Sequence, residues 1–213
     1  MNKKISLILN ILIVIFTILA TTIMLTGFEL FQTDIALSES NISFFKYYTV
    51  DSNILMGIVS LIYIIYLKKD KEIPKSIYIL KLISTVGVTL TLTVVLFYLI
   101  PVFGKRFYIL FTNANLFYHL LTPLLSIITF TKFEKTNKLS LKHSFLGIIT
   151  MVIYAIFYVT NVLIHTHNGK VSTKYDWYYF VQGGVWTAVI VVPIIFLVTY
   201  LISFLLYKFN KQK

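Results

Sequence analysis

Long apolar runs alternate with short polar connections along the whole chain. Six of these runs hold 20 to 25 residues each, and an α-helix needs about 20 residues to cross the hydrocarbon core of a bilayer. Asp51 is the one charged residue within any run. The pattern predicts an all-α polytopic membrane protein, with residues 1–213 forming a single bundle of six transmembrane helices. The predicted spans are Ile5–Thr26, Tyr47–Leu67, Leu82–Pro101, Phe107–Thr131, Ser144–Ile164 and Val185–Tyr207.

The composition excludes the soluble classes of protein. Hydrophobic residues make up 58% of the chain and charged residues only 13%, whereas a soluble domain is about 25% charged. A soluble core of this size cannot bury so much apolar surface, so we exclude disordered chains and nucleic-acid-binding modules. The chain has no cysteine, which excludes disulfides, thiolate metal sites and cysteine nucleophiles.

The basic residues are distributed unevenly between the two sides of the predicted bundle. Of the 19 Lys and Arg residues, fourteen lie on the side that holds both termini and five on the other. The positive-inside rule therefore predicts that both termini are cytoplasmic. The heavy use of Ile, Lys and Asn indicates an AT-rich microbial genome. We accordingly expect a multi-pass protein of a bacterial plasma membrane.

Polar residues recur at helical spacing within three of the spans. Such spacing places side chains on one helix face, and polar groups inside a membrane usually face a bundle interior or a cavity. We therefore expect spans 2, 4 and 5 to form a polar pocket in the outer half of the membrane. The three stripes are Thr49, Ser52, Asn53 and Met56 in span 2; Thr112, Asn115, His119, Thr122 and Ser126 in span 4; and Tyr154, Tyr158, Asn161 and His165 in span 5.

A hydroxyl and an imidazole in these stripes are candidate catalytic groups. A threonine hydroxyl is a weak nucleophile that needs an adjacent base, and neutral histidine is the usual one. The sequence thus predicts Thr49 as nucleophile and His119 as general base. Helical rise places Thr49 about 9 Å further outward than His119, so the pairing depends on a kink, for which Pro123 is suited. The predicted supporting residues are Asp51, Ser52, Asn53, Asn115, Asn161 and His165.

Other functions are compatible with the same polar groups. The first is a non-catalytic protein that binds a lipid or small molecule, and the second is a transporter. Haem or metal binding by His119 with His165 or His167 is the weakest hypothesis. His165 and His167 are two residues apart and so do not share a helix face, and no acidic ligand accompanies the histidines. We expect no cofactor, no metal ion and no nucleic-acid partner. Membrane lipids are the expected environment and the possible substrate, and the sequence does not indicate an oligomeric state.

Three segments, residues 44–55, 115–123 and 175–180, together resemble segments of a known family. It is the androgen-induced family with its small bacterial relatives; the animal members are multi-span threonine hydrolases of lipid esters. Residues 44–55 (FFKYYTVDSNIL) are similar to the family's threonine segment. Residues 115–123 (NLFYHLLTP) resemble its Asn-x-x-x-His segment followed by proline, and residues 175–180 (YDWYYF) resemble its aromatic loop without that loop's prolines. The resemblance implies that Thr49 and His119 hydrolyse a fatty ester within the bilayer.

Overall fold

The computed structural model describes residues 2–31, 42–180 and 185–211, together with all side chains except those of residues 185–188. Six helices in these ranges are long and apolar enough to cross a membrane, which confirms the predicted architecture. Their bounds differ from the predicted spans by a few residues at most ends. The helices are α1 Lys3–Thr26, α2 Tyr48–Lys68, α3 Lys75–Val94, α4 Ala114–Phe133, α5 Leu141–Ile164 and α6 Val185–Asn210.

Helix α3 is the centre of the bundle. From Lys81 to Leu92 every residue except Thr89 is buried, as expected for a helix that is covered on all sides. Helices α2, α4, α5 and α6 pack directly against it, while α1 packs against α2 and α4. Beyond Val94 the chain continues as a π-helical turn and a short helical end, Val95–Leu99 and Ile100–Phe103.

Small residues allow the helix backbones to approach closely. A Cβ atom added at Gly57 of α2 would lie 2.8 Å from Cγ2 of Thr17 in α1. A Cβ atom at Gly147 of α5 would lie only 2.0 Å from Oγ of Ser203 in α6. Because lipid tails are as apolar as the helices, close packing of this kind is a main source of helix association in a membrane.

The fourth span begins later than the sequence predicts. Instead of a helix from Phe107, the chain forms a 3-10 segment, Gly104–Phe111, and then an extended Thr112. Asn113 follows with a φ of 52° and a ψ of −134°, a positive-φ conformation outside the left-handed helical region and therefore unfavourable for a residue other than glycine. Its Oδ1 accepts hydrogen bonds from the backbone N–H groups of Leu30 at 2.6 Å and Phe31 at 2.9 Å. These contacts explain why helix α4 starts only at Ala114.

The helices alternate in direction and create two chemically different ends. The end that we call the basic end contains the start of α1 and the α2–α3 and α4–α5 connections, where Lys3 pairs with Asp70 and Lys138 with Glu72. At the opposite end, here called the aromatic end, the rings of residues 175–180 pack on α5. The lysine asymmetry predicts that the basic end is cytoplasmic.

Candidate functional site

His119 lies within an irregular turn of α4. Residues Phe117–Leu121 form a π-helical turn, in which the N–H of Thr122 donates to the carbonyl oxygen of Phe117. Pro123 comes next and has no N–H to donate. The carbonyl oxygen of Tyr118 is consequently left without its usual helical donor. Such π-turns occur frequently at functional sites.

Asn53 of α2 supplies the missing donor and joins the two predicted stripes. Its Nδ2 donates to the carbonyl oxygen of Tyr118 at 3.2 Å and to that of Thr49 at 2.8 Å. Both carbonyl groups therefore lie within hydrogen-bonding distance of the same amide nitrogen. The first turns of α2, at the aromatic end, and the π-turn of α4 thus meet at Asn53.

The imidazole of His119 is buried and held in one orientation. It is only 3% exposed, and its Nδ1 lies 2.8 Å from the carbonyl oxygen of Leu110 in the 3-10 segment. A carbonyl oxygen only accepts hydrogen bonds, so Nδ1 carries the hydrogen. In the neutral ring, Nε2 then keeps its lone pair and is the basic nitrogen.

Thr49 lies in the first turn of α2 and is half-buried. Its carbonyl oxygen accepts from Asn53 and, at 3.1 Å, from the hydroxyl of Ser52. Its own hydroxyl makes no hydrogen bond within the described ranges. Ser52 is buried against Thr91 of α3, whereas Asp51 is exposed on a different side of α2.

Several buried polar atoms around these residues lack a partner in the described part of the chain. They belong to three side chains: Oδ1 of Asn53, both amide atoms of Asn115, and Oγ1 of Thr122. Each unsatisfied buried donor or acceptor typically costs about 1–3 kcal/mol. Asn115 precedes His119 by about one turn, and Thr122 follows it by about one turn. The histidine therefore lies between two polar side chains whose hydrogen-bonding atoms have no partner in the described ranges.

The polar stripe of the fifth span contacts the aromatic end. Nδ2 of Asn161 donates to the carbonyl oxygen of Tyr175 at 2.7 Å. The ring of His165 stacks on Tyr175 with the ring centroids 3.6 Å apart, while its Nδ1 lies 2.8 Å from the carbonyl oxygen of Asn161. These contacts fix the connection formed by residues 165–180 against the end of α5. Tyr154 of the same stripe contacts the ring of Tyr48 in α2, and both Tyr154 and Tyr158 contact the ring of Tyr178 in the loop.

A second polar cluster, between Lys81 and Glu134, is absent from the sequence-based prediction. Both side chains are fully buried, and Nζ of Lys81 lies 3.9 Å from Oε2 of Glu134. Asn10 bridges them, since its Oδ1 lies 2.5 Å from Nζ of Lys81 and its Nδ2 lies 2.6 Å from Oε1 of Glu134. The hydroxyls of Ser60 and Ser6 complete the cluster.

The signal for this cluster was present but easy to overlook. Lys81 and Glu134 lie at the edges of apolar runs, where the sequence pattern predicts charged residues that are exposed to water. Asn10, about two turns inside the first span, is the better indication, because an amide inside a membrane helix requires a partner.

Comparison of the chain with protein-family models, curated proteins and solved structures gives no match.

Proposed function

We propose that this protein is an intramembrane hydrolase of lipid esters, with Thr49 as nucleophile and His119 as general base. The observation that carries the proposal is the hydrogen bond between Nδ1 of His119 and the carbonyl oxygen of Leu110. It leaves Nε2 as the basic nitrogen of a buried ring, which is the state that a general base requires. Asn53 supports the pairing, because it holds the turn carrying His119 against the first turn of α2.

The proposed reaction proceeds through an acyl-enzyme. Nε2 of His119 takes the proton of the Thr49 hydroxyl while its oxygen attacks the ester carbonyl carbon. The tetrahedral intermediate expels the alcohol, which receives that proton from Nε2. Water then attacks the acyl-Thr49 ester and gives a proton to Nε2, and the released Thr49 oxygen takes this proton back as the fatty acid leaves.

The unpartnered amide of Asn115 is suited to stabilise the negative oxygen that forms in this reaction. The Nδ2 group is a buried donor without an acceptor in the described ranges. A donor of this kind stabilises the negative oxygen of a tetrahedral intermediate, and removing one such donor from an enzyme costs about 10²–10³ in kcat. The hydroxyl of Thr122, about two turns further along the same face of α4, is a second donor without a partner in the described ranges.

A long-chain alkyl fluorophosphonate tests the proposal on the purified full chain. The expected result is a covalent adduct on Thr49, located by mass spectrometry of the digested protein. The adduct should be absent in Thr49→Ala, retained in part in Thr49→Ser, and strongly reduced in His119→Ala.

Two matched variants control for general effects of the substitutions. Thr89→Ala removes a half-buried hydroxyl on α3 that bonds to its own turn at 2.7 Å, and His143→Ala removes a histidine at the basic end. Both should label like the wild type. Labelling at another residue, or none in the folded protein, would refute the hydrolase and favour a non-catalytic lipid-binding protein.

The buried Lys81–Glu134 pair favours transport as a second candidate function. Ionisable groups within membrane helices often mark ion or substrate pathways, and the proposed hydrolysis does not use this pair. If the pair serves transport, the protein in proteoliposomes should take up a solute, and Glu134→Gln should abolish this uptake. Fluorophosphonate labelling of Thr49 should be the same in Glu134→Gln and in the wild type. Uptake that is equal in the wild type and Glu134→Gln would exclude a transport role for the pair.

A further inference from the structure

A pocket of about 460 Å³ opens at the basic end of the bundle. It lies between the start of α1, the end of α2, the start of α3 and the turn that follows α4, and its volume is within the range of small-molecule sites. The pocket is separate from the Thr49–His119 region, which belongs to the opposite half of the helices.

The charges around this pocket do not balance. Four lysines and two carboxylates line it. Two of the lysines are used within the protein, since Lys3 pairs with Asp70, and Nζ of Lys138 lies 2.6 Å from Glu72. The other two, Lys71 and Lys135, have no ion pair in the described part of the chain. The pocket therefore has two positive charges in excess.

Burial makes this excess significant for Lys135 in particular. Its side chain is half-buried, and a charged group that is partly removed from water is unfavourable unless an opposite charge accompanies it. An anion in the pocket would satisfy Lys135 and Lys71 together. Lys138 is already fixed at the rim by its bond to the carbonyl oxygen of Ile73 at 2.6 Å.

The surroundings of the two lysines indicate the kind of anion. Leu67 and Ile73 give the pocket apolar walls, and Tyr66 and Tyr78 line it as well. Tyrosine is typical of the membrane–water interface. Basic pockets between transmembrane helices on the cytoplasmic side bind anionic lipid headgroups, whose phosphates accept charge-assisted hydrogen bonds from lysine.

We propose that this pocket binds the phosphate headgroup of an anionic phospholipid from the leaflet at the basic end. The ammonium groups of Lys71 and Lys135 contact the phosphate, and the apolar walls accommodate the beginning of the acyl chains. A soluble phosphate compound offers the same charge chemistry, so the experiment must separate the two sources.

Thermal unfolding of the full chain in nanodiscs, followed by tryptophan fluorescence, tests this proposal. The discs contain either phosphatidylcholine alone or phosphatidylcholine with phosphatidylglycerol. A ligand that binds only the folded state raises the unfolding temperature, so we expect wild-type protein to gain several degrees in the anionic discs. The double variant Lys71→Gln/Lys135→Gln should lose most of that gain.

A matched double variant, Lys75→Gln/Lys142→Gln, removes two exposed lysines of the basic end that do not line the pocket. It should keep the gain, as should Lys71→Arg/Lys135→Arg, which preserves both charges. An equal loss in both Gln double variants would show general surface attraction and overturn the proposal. The absence of any gain in wild type would also overturn it. Stabilisation by inorganic phosphate in phosphatidylcholine discs, equal to that by phosphatidylglycerol, would reject a lipid in favour of a soluble ligand.

Discussion

Asn53 donates a hydrogen bond to the carbonyl oxygen of Tyr118 across 3.2 Å, which links α2 to the irregular turn of α4. That oxygen is available because the N–H of Thr122 bonds to Phe117 and Pro123 has none to give. The irregularity of one helix is thus compensated by a side chain of another. Any change that restores regular helix in α4, or removes the amide in α2, should disturb the proposed site.

Replacing Asn53 with leucine should destabilise the protein with little change in volume. The Tyr118 carbonyl oxygen would be buried without a donor, which costs about 1–3 kcal/mol. Thermal unfolding in detergent measures the loss. Thr93→Val, which removes a half-buried hydroxyl bonded to its own turn, should change stability much less. Equal unfolding temperatures for Asn53→Leu and wild type would contradict the role given to the amide.

Replacing Pro123 with alanine should preserve or increase the stability of the protein and reduce its activity. Alanine restores a backbone N–H and favours regular helix through residues 117–123. Regular helix turns His119 relative to Leu110 and removes the bond at Nδ1. We expect an equal or higher unfolding temperature, together with loss of most fluorophosphonate labelling at Thr49. Full labelling in Pro123→Ala would show that the π-turn is not required for the proposed chemistry.

The six helices and their buried faces could be predicted from the sequence because hydropathy and helical spacing are local properties. Asn115, His119, Thr122 and Ser126 are buried as their spacing indicated. The late start of α4 at Ala114 could not be predicted, because Phe107–Phe111 is apolar and only the contact of Asn113 with the distant Leu30 and Phe31 reveals the break.

Long-range partners explain the remaining differences. The stripe on α5 was predicted to share a pocket with those of α2 and α4; its Tyr154 contacts Tyr48 of α2, whereas Asn161 and His165 contact the loop at Tyr175. Lys81 and Glu134 lie far apart in the chain and carry no common pattern, so their pairing follows only from the packing of α1, α2 and α3 around the end of α4.

Substitution of Lys81 with methionine should be strongly destabilising. Glu134 would be left as a buried charge without its opposite, which typically costs about 3–5 kcal/mol. The double variant Lys81→Met/Glu134→Gln should recover a large part of that loss, because it removes both charges. Unfolding temperatures of the single and double variants measure the coupling, and Lys75→Met, an exposed lysine at the start of the same helix, serves as control. If the double variant is less stable than Lys81→Met, the two charges do not compensate each other as described.

The protein should also become less stable at high pH, because a buried tyrosine of the aromatic end, Tyr178, ionises more readily in the unfolded chain. Tyr178 packs against the rings of Tyr47, Tyr154 and Tyr158, and this burial raises the pKa of Tyr178 to about 12. The unfolded chain ionises near pH 10, so the contribution of the neutral phenol is complete below about pH 10 and declines as the pH rises through about 12. The stability difference between wild type and Tyr178→Phe should therefore shrink over that interval. A difference that stays constant from pH 9 to 12 would contradict the burial of this phenol.

The orientation of the bundle can be tested with single cysteines, since the chain has none. The positive-inside rule predicts that Lys170→Cys faces the outside and Lys142→Cys the cytoplasm. An impermeant thiol reagent applied to intact cells should label the first and spare the second until the cells are opened. The reverse pattern would place the aromatic end, with the Thr49 region, on the cytoplasmic side.

The pairing of Lys81 with Glu134 has a consequence for the order of biosynthesis. When α3 emerges from the ribosome, Asn10 and Ser60 have already been made, but Glu134 belongs to a helix that is synthesised later. During that interval the translocon must release into the lipid a helix whose ammonium has only neutral partners. A lysine costs about 2.5–3.5 kcal/mol at the centre of an inserting helix and less towards an end, where Lys81 lies. The apolar remainder of α3 has to offset this cost until α4 arrives, so truncated nascent chains that end before Glu134 should retain α3 in the membrane less efficiently than longer ones.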